Sequence, residues 1–332
     1  MIPILLLSTA LAIECQRSGA AASTAPRNFV YFALDHERIA EPSFLTNPGV
    51  AGAQLMFTWK SLEPERDQYE FGEIRERLAL LARHGKRLWI QLQDVSFGPQ
   101  VWVPDYLRSD SAFHGGAARK YEGEGEQARF DGWVARRWDP AVRARYIKLL
   151  ESLGREFDGK IEGLNLAETA ISFDNPRLRP ADFTNEGYAE GIREMTTAAR
   201  RAFSQSCVVV YANFMPGEWL PGDDKGYLKS VYAHAARVGA GVGGPDLMPY
   251  RRGQQNHSQP LIASRPHGVV AAVAVQDGNL AEVNPVTGAR VTVPELYAFA
   301  KNRLRLDYIF WGTEEPYYSQ DVLPFLRAPF PR

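Results

Sequence analysis

The sequence lacks most of the residue patterns that would announce a cofactor, a charged partner or a membrane. Its six histidines are scattered, with no His-x-His and no His-Glu-x-x-His, so no zinc-type ligand set is spelled out. Asp35-His36 could open a metal site, but no partner residues are apparent, and a histidine at a strand end is more often a satisfied polar residue. There is no Gly-x-Ser-x-Gly elbow for a serine hydrolase. No dinucleotide or phosphate-loop glycine fingerprint follows the first apolar segment, which weighs against a nucleotide-binding open sheet. No cofactor is therefore implied. Charge of one sign is missing too: 38 Lys and Arg face 39 Asp and Glu, a net charge of −1. That balance gives no argument for nucleic acid or an anionic membrane surface. No run is apolar for long enough to span a bilayer, and no repeat of solenoid period occurs.

Cysteine is scarce, with Cys15 and Cys207 alone. The run Ile2-Pro-Ile-Leu-Leu-Leu-Ser-Thr-Ala-Leu-Ala-Ile13, followed by the small residues Gly19-Ala-Ala-Ala22, has the layout of a secretory leader cleaved in the low twenties. It has no basic residue ahead of the apolar run, and Glu14 fits poorly before a lipoprotein cysteine. The expected division is a signal peptide over 1–22 and one domain over 23–332, secreted or periplasmic. With the leader removed, Cys207 would be the only cysteine and no internal disulfide would form, so cysteine count does not establish an oxidising compartment.

What is present is a regular alternation. Apolar residues make up 45% of the chain, ample for a large core. Eight short apolar segments can be read: Asn28 to Leu34, Gly52 to Trp59, Arg87 to Gln93, a stretch from Lys160, Cys207 to Ala212, Gly239 to Asp246, Gly268 to Val275 and Asp307 to Trp311. Helical patterns follow most of them, such as Ile74, Leu78, Leu81 and Ala82, or Tyr188, Ile192, Met195, Ala199 and Phe203. Residues 94–138 and 247–266 read as long loops. Strands alternating with helices imply a parallel sheet, and eight such units imply closure. The fold class expected is α/β, a single (β/α)8 TIM barrel with long βα loops.

The most informative stretch is Lys160-Ile-Glu-Gly-Leu-Asn-Leu-Ala-Glu-Thr-Ala-Ile-Ser-Phe173. Asp139-Pro140 supplies an N-cap and a proline at the first helical position, and Tyr146, Leu149, Leu150, Leu153 and Phe157 then recur at helical spacing. A short apolar strand follows and ends at Glu168. Barrels of this kind keep their chemistry at the carboxyl ends of the strands, where Glu168 would stand. Burial beside Leu164, Leu166 and Ala167 would raise its pKa and suit it to proton donation. A strand-end Glu paired with an Arg for stability is the plain alternative.

Trp59-Lys-Ser-Leu-Glu-Pro64, Tyr69-Glu-Phe71 and Gly85-Lys-Arg-Leu-Trp-Ile-Gln-Leu92 resemble the second and third units of the clan of retaining (β/α)8 glycoside hydrolases that includes cellulases, mannanases and β-galactosidases. Trp138-Asp-Pro140 leading to Tyr146 is similar as well. The resemblance covers roughly residues 50–170 well and the rest by strand order. It implies that Glu168 is the general acid/base, although Ala167 stands where the clan has Asn. It implies a nucleophilic carboxylate at the seventh strand tip, where this chain has Gln276-Asp277. Gln cannot serve, so Asp277 is the local candidate, with Glu314 and Glu315 as rivals on the eighth.

Glycosidic cleavage needs one carboxyl to protonate the leaving oxygen and another to attack or to activate water, roughly 5 Å apart for retention and about 6.5–9.5 Å for inversion. Asp277-Gly-Asn279 could equally be a plain turn, Glu314 or Glu315 a cap, and Glu63 reads as structural. Trp59, Trp102, Trp311 and Tyr317 could stack on sugar rings or simply pack. Gln93, Asp94, Asn213, Asp246 and Gln276 fall at strand tips, where sugar hydroxyls would be bound. The function expected is cleavage of an oligo- or polysaccharide; the alternative is a barrel that binds glycans without cleaving them, supported by Ala167 and Gln276. A metal-dependent barrel hydrolase lacks a clustered ligand set.

Overall fold

A computed structural model describes residues 25–122, 127–171, 173 and 175–328. The leader expected over 1–22 lies outside the described residues. Eight parallel strands close into a barrel: β1 (Arg27–Tyr31), β2 (Gly52–Thr58), β3 (Arg87–Gln93), β6 (Gly163–Leu166), β7 (Cys207–Tyr211), β8 (Gly241–Gly244), β9 (Ala271–Val275) and β10 (Tyr308–Gly312). Going round the wall, β1 pairs with β2, then β3, β6, β7, β8, β9 and β10, which returns to β1. All eight segments read from the sequence are barrel strands. The long loop after β3 holds more structure than the sequence suggested. It contains the short helix Asp105–Ser109 and an antiparallel hairpin, β4 (Ala117–Glu122) with β5 (Arg129–Ala135). The segment 247–266, read as loop, contains the helices Arg252–Asn256 and Ser258–Ala263.

Local chemistry sets the helix limits. Asp139 accepts from the amides of Ala141 (2.8 Å) and Val142 (3.4 Å) ahead of the helix Pro140–Phe157, as the sequence predicts. Thr184 caps the helix Asn185–Ala202 through the Gly187 amide. The helix Tyr227–Val238 stops at Gly239, whose φ of 76° is open to glycine at little cost.

Alternation along each strand divides the core in two. Outward residues such as Val30, Leu55, Ile90 and Val210 join the layer beneath the helices. Inward residues fill the lumen: Phe29, Tyr31, Met56, Trp89, Val209, Tyr211, Ala272, Ala274, Tyr308 and Phe310. The aromatic rings interlock on one side, with Trp89 4.9 Å from both Tyr308 and Phe310. The small residues of β8 and β9 make room opposite, and a Cβ at Gly243 would lie 1.8 Å from the Ala272 carbonyl oxygen. Cys207, inward at the start of β7, is not a free thiol.

Charge is managed at both ends of the lumen. At its amino end, buried Glu162 pairs with Arg27 and accepts from the Tyr308 hydroxyl (2.7 Å). Higher up, Asn165 accepts from Gln54 Nε2 (2.9 Å) and Trp89 Nε1 (3.1 Å). Asn165 is thus a structural crosslink inside the wall and does not reach the site that Glu168 occupies at the mouth.

Candidate active site

Glu168 sits two residues past the end of β6, on the carboxyl face of the barrel. Its carboxylate Oε2 accepts from the amide Nδ2 of Asn213, at the tip of β7, over 2.7 Å. Asn213 is 2% exposed, and its Oδ1 accepts in turn from the amides of Ala170 (3.2 Å) and Phe214 (3.0 Å). The side chain that orients Glu168 is therefore itself fixed at both ends.

Arg137 is the arginine nearest to the alternative raised from the sequence, and it does not neutralise Glu168. Its Nε and Nη2 bind Asp94 over 2.9 and 2.5 Å, with both side chains buried, and its Nη1 donates to the Glu168 backbone carbonyl (2.7 Å) and to Tyr188 Oη (2.8 Å). A paired, fully bonded guanidinium thus holds the main chain of Glu168 and leaves its side chain to Asn213.

Burial is the main influence on the Glu168 carboxyl and pushes its pKa up to about 7. The Asn213 hydrogen bond opposes that rise, the Asp246 carboxylate adds to it, and Lys120 and Arg137 oppose it. Lys120 comes from the hairpin. Its ammonium binds Asp131 (2.6 Å) and lies 3.9 Å from the Phe97 ring centroid. The hairpin thus brings a cation within electrostatic reach of Glu168, an arrangement that nothing in the sequence signalled.

Two more carboxyls stand on the same face. Asp246, past β8, is pushed up chiefly by burial, and its Oδ1 accepts from Asn279 Nδ2 (3.0 Å). Asp277, past β9, is exposed; partial burial and the Glu314 carboxylate push it up. Glu314 accepts from the Gly278 amide (2.8 Å) and so braces the turn that carries Asp277. Tyr31 links the two sides: burial raises its hydroxyl pKa, and the fields of Asp277 and Glu168 raise it further. Both acids therefore lie within electrostatic reach of one hydroxyl at the top of the lumen.

The other predicted residues divide. Gln93 is buried at the end of β3, and its Oε1 has no partner among the described residues. Gln276 is half-buried, and its amide donates to Asn279 Oδ1 (3.3 Å). Trp102 is partly exposed and packs on the lumen cluster. Tyr317 is half-buried beneath the Arg290 guanidinium, 4.5 Å from its centroid. Trp59 and Trp311 must be corrected: both are fully buried. Trp59 donates to Glu63 (2.9 Å) and packs edge-on against Tyr146, while Trp311 donates to Asn28 (3.0 Å) in the layer under the helices. Neither has a face left for a ligand. The sequence pattern placed both at strand ends, whereas Trp59 opens the short helix Trp59–Leu62 just past β2, and it could not tell the outward side of Trp311 from the inward one.

Glu63, also fully buried, binds Arg145, Trp59, the Asp67 amide and Tyr106, a structural knot as expected. His36 is held by Glu73 and the Met56 carbonyl. Among the described residues, no group of three or more His, Cys, Asp or Glu is placed to hold a metal ion. A groove of about 650 Å³ runs over the outer helices, lined by Glu151, Arg155, Glu194 and His234, away from the mouth.

Among solved structures, the chain is similar to endo-glycoceramidase II from Rhodococcus sp. Its lactosyl-enzyme intermediate matches with TM-score 0.54 and 14% identity, over 93% of this chain and 79% of that one. The cellobiose-like imidazole complex matches with TM-score 0.52 and 12% identity, and the five-membered iminocyclitol complex with 0.54 and 12%, over the same shares. At such identities the likeness shows a shared barrel fold. No protein-family model and no curated protein sequence matches.

Proposed function

We propose that this barrel cleaves O-glycosidic bonds of an oligo- or polysaccharide, with Glu168 as the proton donor. The observation that carries the reading is the state of Glu168: a carboxyl at the barrel mouth, raised to about 7 by burial, oriented by an amide and, among the described residues, not paired to a cation. Such a group holds its proton near neutral pH, where a leaving oxygen needs it, and can take a proton back from water in a second step. Asp277 is the carboxylate proposed to attack the anomeric carbon or to activate water. It is exposed and, with Glu168, within electrostatic reach of Tyr31, whereas Glu314 is committed to the Gly278 amide. Similarity of fold to an endo-glycoceramidase, one of whose structures is a lactosyl-enzyme intermediate, supports a glycosidase reading. The apolar leader pattern supports export to the periplasm or beyond.

The test is turnover on aryl glycosides and a polysaccharide panel. Glu168→Gln is expected to abolish it, and Asp277→Ala to cost far more than Glu314→Gln. Unchanged turnover in Glu168→Gln removes the proton donor. The second reading, glycan binding without cleavage, draws on Ala167 and Gln276; it gains if the wild-type chain binds panel members yet releases no sugar.

A further inference from the structure

We propose that Trp219, stacked on Phe214, is a sugar platform beside Glu168 that takes the apolar C–H face of a pyranose in the glycan on which Glu168 acts. The inference deepens the glycosidase reading and rests on it for the identity of the ligand. Trp219 lies in the connection between β7 and the helix Tyr227–Val238, on the carboxyl face. It is 59% exposed, while most large aromatic side chains of the chain are buried. Its ring is parallel to that of Phe214, with centroids 5.8 Å apart and 9° between the planes. His257 braces both rings, at 4.7 Å from Phe214 and 4.6 Å from Trp219.

The backbone on either side is equally fixed. Trp219 exchanges two hydrogen bonds with Asp223, of 2.9 and 2.8 Å. The Leu220 amide donates to His257 Nε2 over 2.9 Å. Buried Glu218 accepts from the amides of Lys225, Tyr227 and Leu228, tying the loop to the start of the helix. A tryptophan held this firmly loses little further freedom when a ligand covers it, so more of the gain from burying the indole appears as affinity.

The link to the acid is short. Phe214 follows Asn213, whose amide holds the Glu168 carboxylate, and the Phe214 carbonyl accepts from Thr169 Oγ1 over 2.6 Å. The platform is thus bonded to Thr169, which follows the proton donor, and to Asn213, which holds its carboxylate. Its size favours a sugar over a protein partner: one exposed indole offers about the footprint of a single sugar ring, and exposed Asp223, Asp224 and Lys225 follow it in the same connection. The wider setting agrees. Leu34, Phe97, Phe130, Leu178, Trp219, Val283 and Val286, the exposed large hydrophobics among the described residues, all lie on connections that follow a strand's carboxyl end. Exposed apolar surface of this kind marks a ligand-facing side.

The experiment uses the full chain carrying Glu168→Gln, to prevent turnover, and measures binding to a panel of oligo- and polysaccharides by fluorescence titration and affinity electrophoresis. Adding Trp219→Ala is expected to weaken binding roughly tenfold or more, the scale on which truncation of a tryptophan covered by ligand is felt. Trp219→Phe, which keeps a flat ring, is expected to stay within about threefold of the host. Binding by Trp219→Ala as tight as the host's, an equal loss in both variants, or no binding by the host overturns the platform. Turnover of the Glu168→Gln chain is scored separately. If turnover persists, the proton-donor reading fails while the binding comparison still decides Trp219. If turnover is lost and Trp219→Ala binds normally, the platform fails and the donor stands.

Discussion

Replacing Glu168 by Gln should stabilise the protein, and only above a definite pH. The carboxyl rises from its ordinary value of 4.5 to about 7 in the folded chain, chiefly through burial. Below pH 4.5 it is protonated in both the folded and the unfolded states, and no cost arises. Between 4.5 and about 7 the unfolded chain releases the proton while the folded chain keeps it, so rising pH favours unfolding. Above that window both states are ionised and the folded chain carries the full cost of a buried charge. At about 1.4 kcal/mol per pH unit, the cost reaches about 3 kcal/mol. Gln does not titrate and keeps an oxygen for the Asn213 amide. The stability difference between variant and wild type should therefore rise by about 3 kcal/mol from pH 4.5 to pH 8. Urea unfolding of both proteins at half-unit pH steps measures it, and Asp246 titrates in both, so subtraction largely removes its contribution. A difference that stays flat, or that falls with pH, would refute a buried and unpaired Glu168. If Glu168 is the proton donor, the same group should set the alkaline limb of activity, because the donor would be lost as pH rises through about 7.

Two further outcomes test the frame around that acid. Asn213→Ala removes the donor that holds the Glu168 pKa down, so the alkaline limb should move to higher pH, and the amides of Ala170 and Phe214 should lose an acceptor at about 1–3 kcal/mol in stability; a limb that stays or moves down, read from pH–rate profiles, contradicts the assignment. Arg137→Met leaves Asp94, 1% exposed, buried without its cation, at an expected cost of about 3–5 kcal/mol, partly recovered by adding Asp94→Leu; a loss below about 1 kcal/mol in urea unfolding would show that the pair does not hold this corner of the mouth.

The site illustrates how a barrel wall isolates one carboxyl from the cations around it. Arg137 reaches the Glu168 backbone but spends its charge on Asp94, and Lys120 spends its own on Asp131. Each cation lowers the Glu168 pKa through space, yet neither forms the close pair that would hold the group ionised. Asn213 contributes one neutral donor, enough to fix direction without overcoming burial. A mouth built instead on a Glu–Arg pair would give a rigid but inert acid.

Much of the architecture was legible in the chain itself. The eight apolar segments, the Asp139-Pro140 helix start and the placement of Glu168 past a strand all follow from local signals: period, caps and strand length. Glu63 and His36 were also read as satisfied structural residues, and both are bonded so, although their partners Arg145, Tyr106 and Glu73 come from distant positions. The errors and omissions share a different character. Trp59 and Trp311 were placed at strand tips, but at a tip the twist of the wall decides which side a ring faces. The hairpin of β4 and β5 was taken for loop, since its alternation is weak and it is tied down by the residues after β3, as in the Val95–Val134 bridge. Lys120, Arg137, Tyr31 and Trp219 carried no motif at all. The sequence by itself determined a closed parallel barrel and the strand end at which an acid would stand, because hydrophobic period and capping act over a few residues. Tertiary structure alone decided that the acid is held by Asn213 from the next strand and, among the described residues, left without a paired cation, because desolvation and charge depend on groups brought together from 31 to 78 positions away, with Arg137 at 31, Asn213 at 45 and Asp246 at 78.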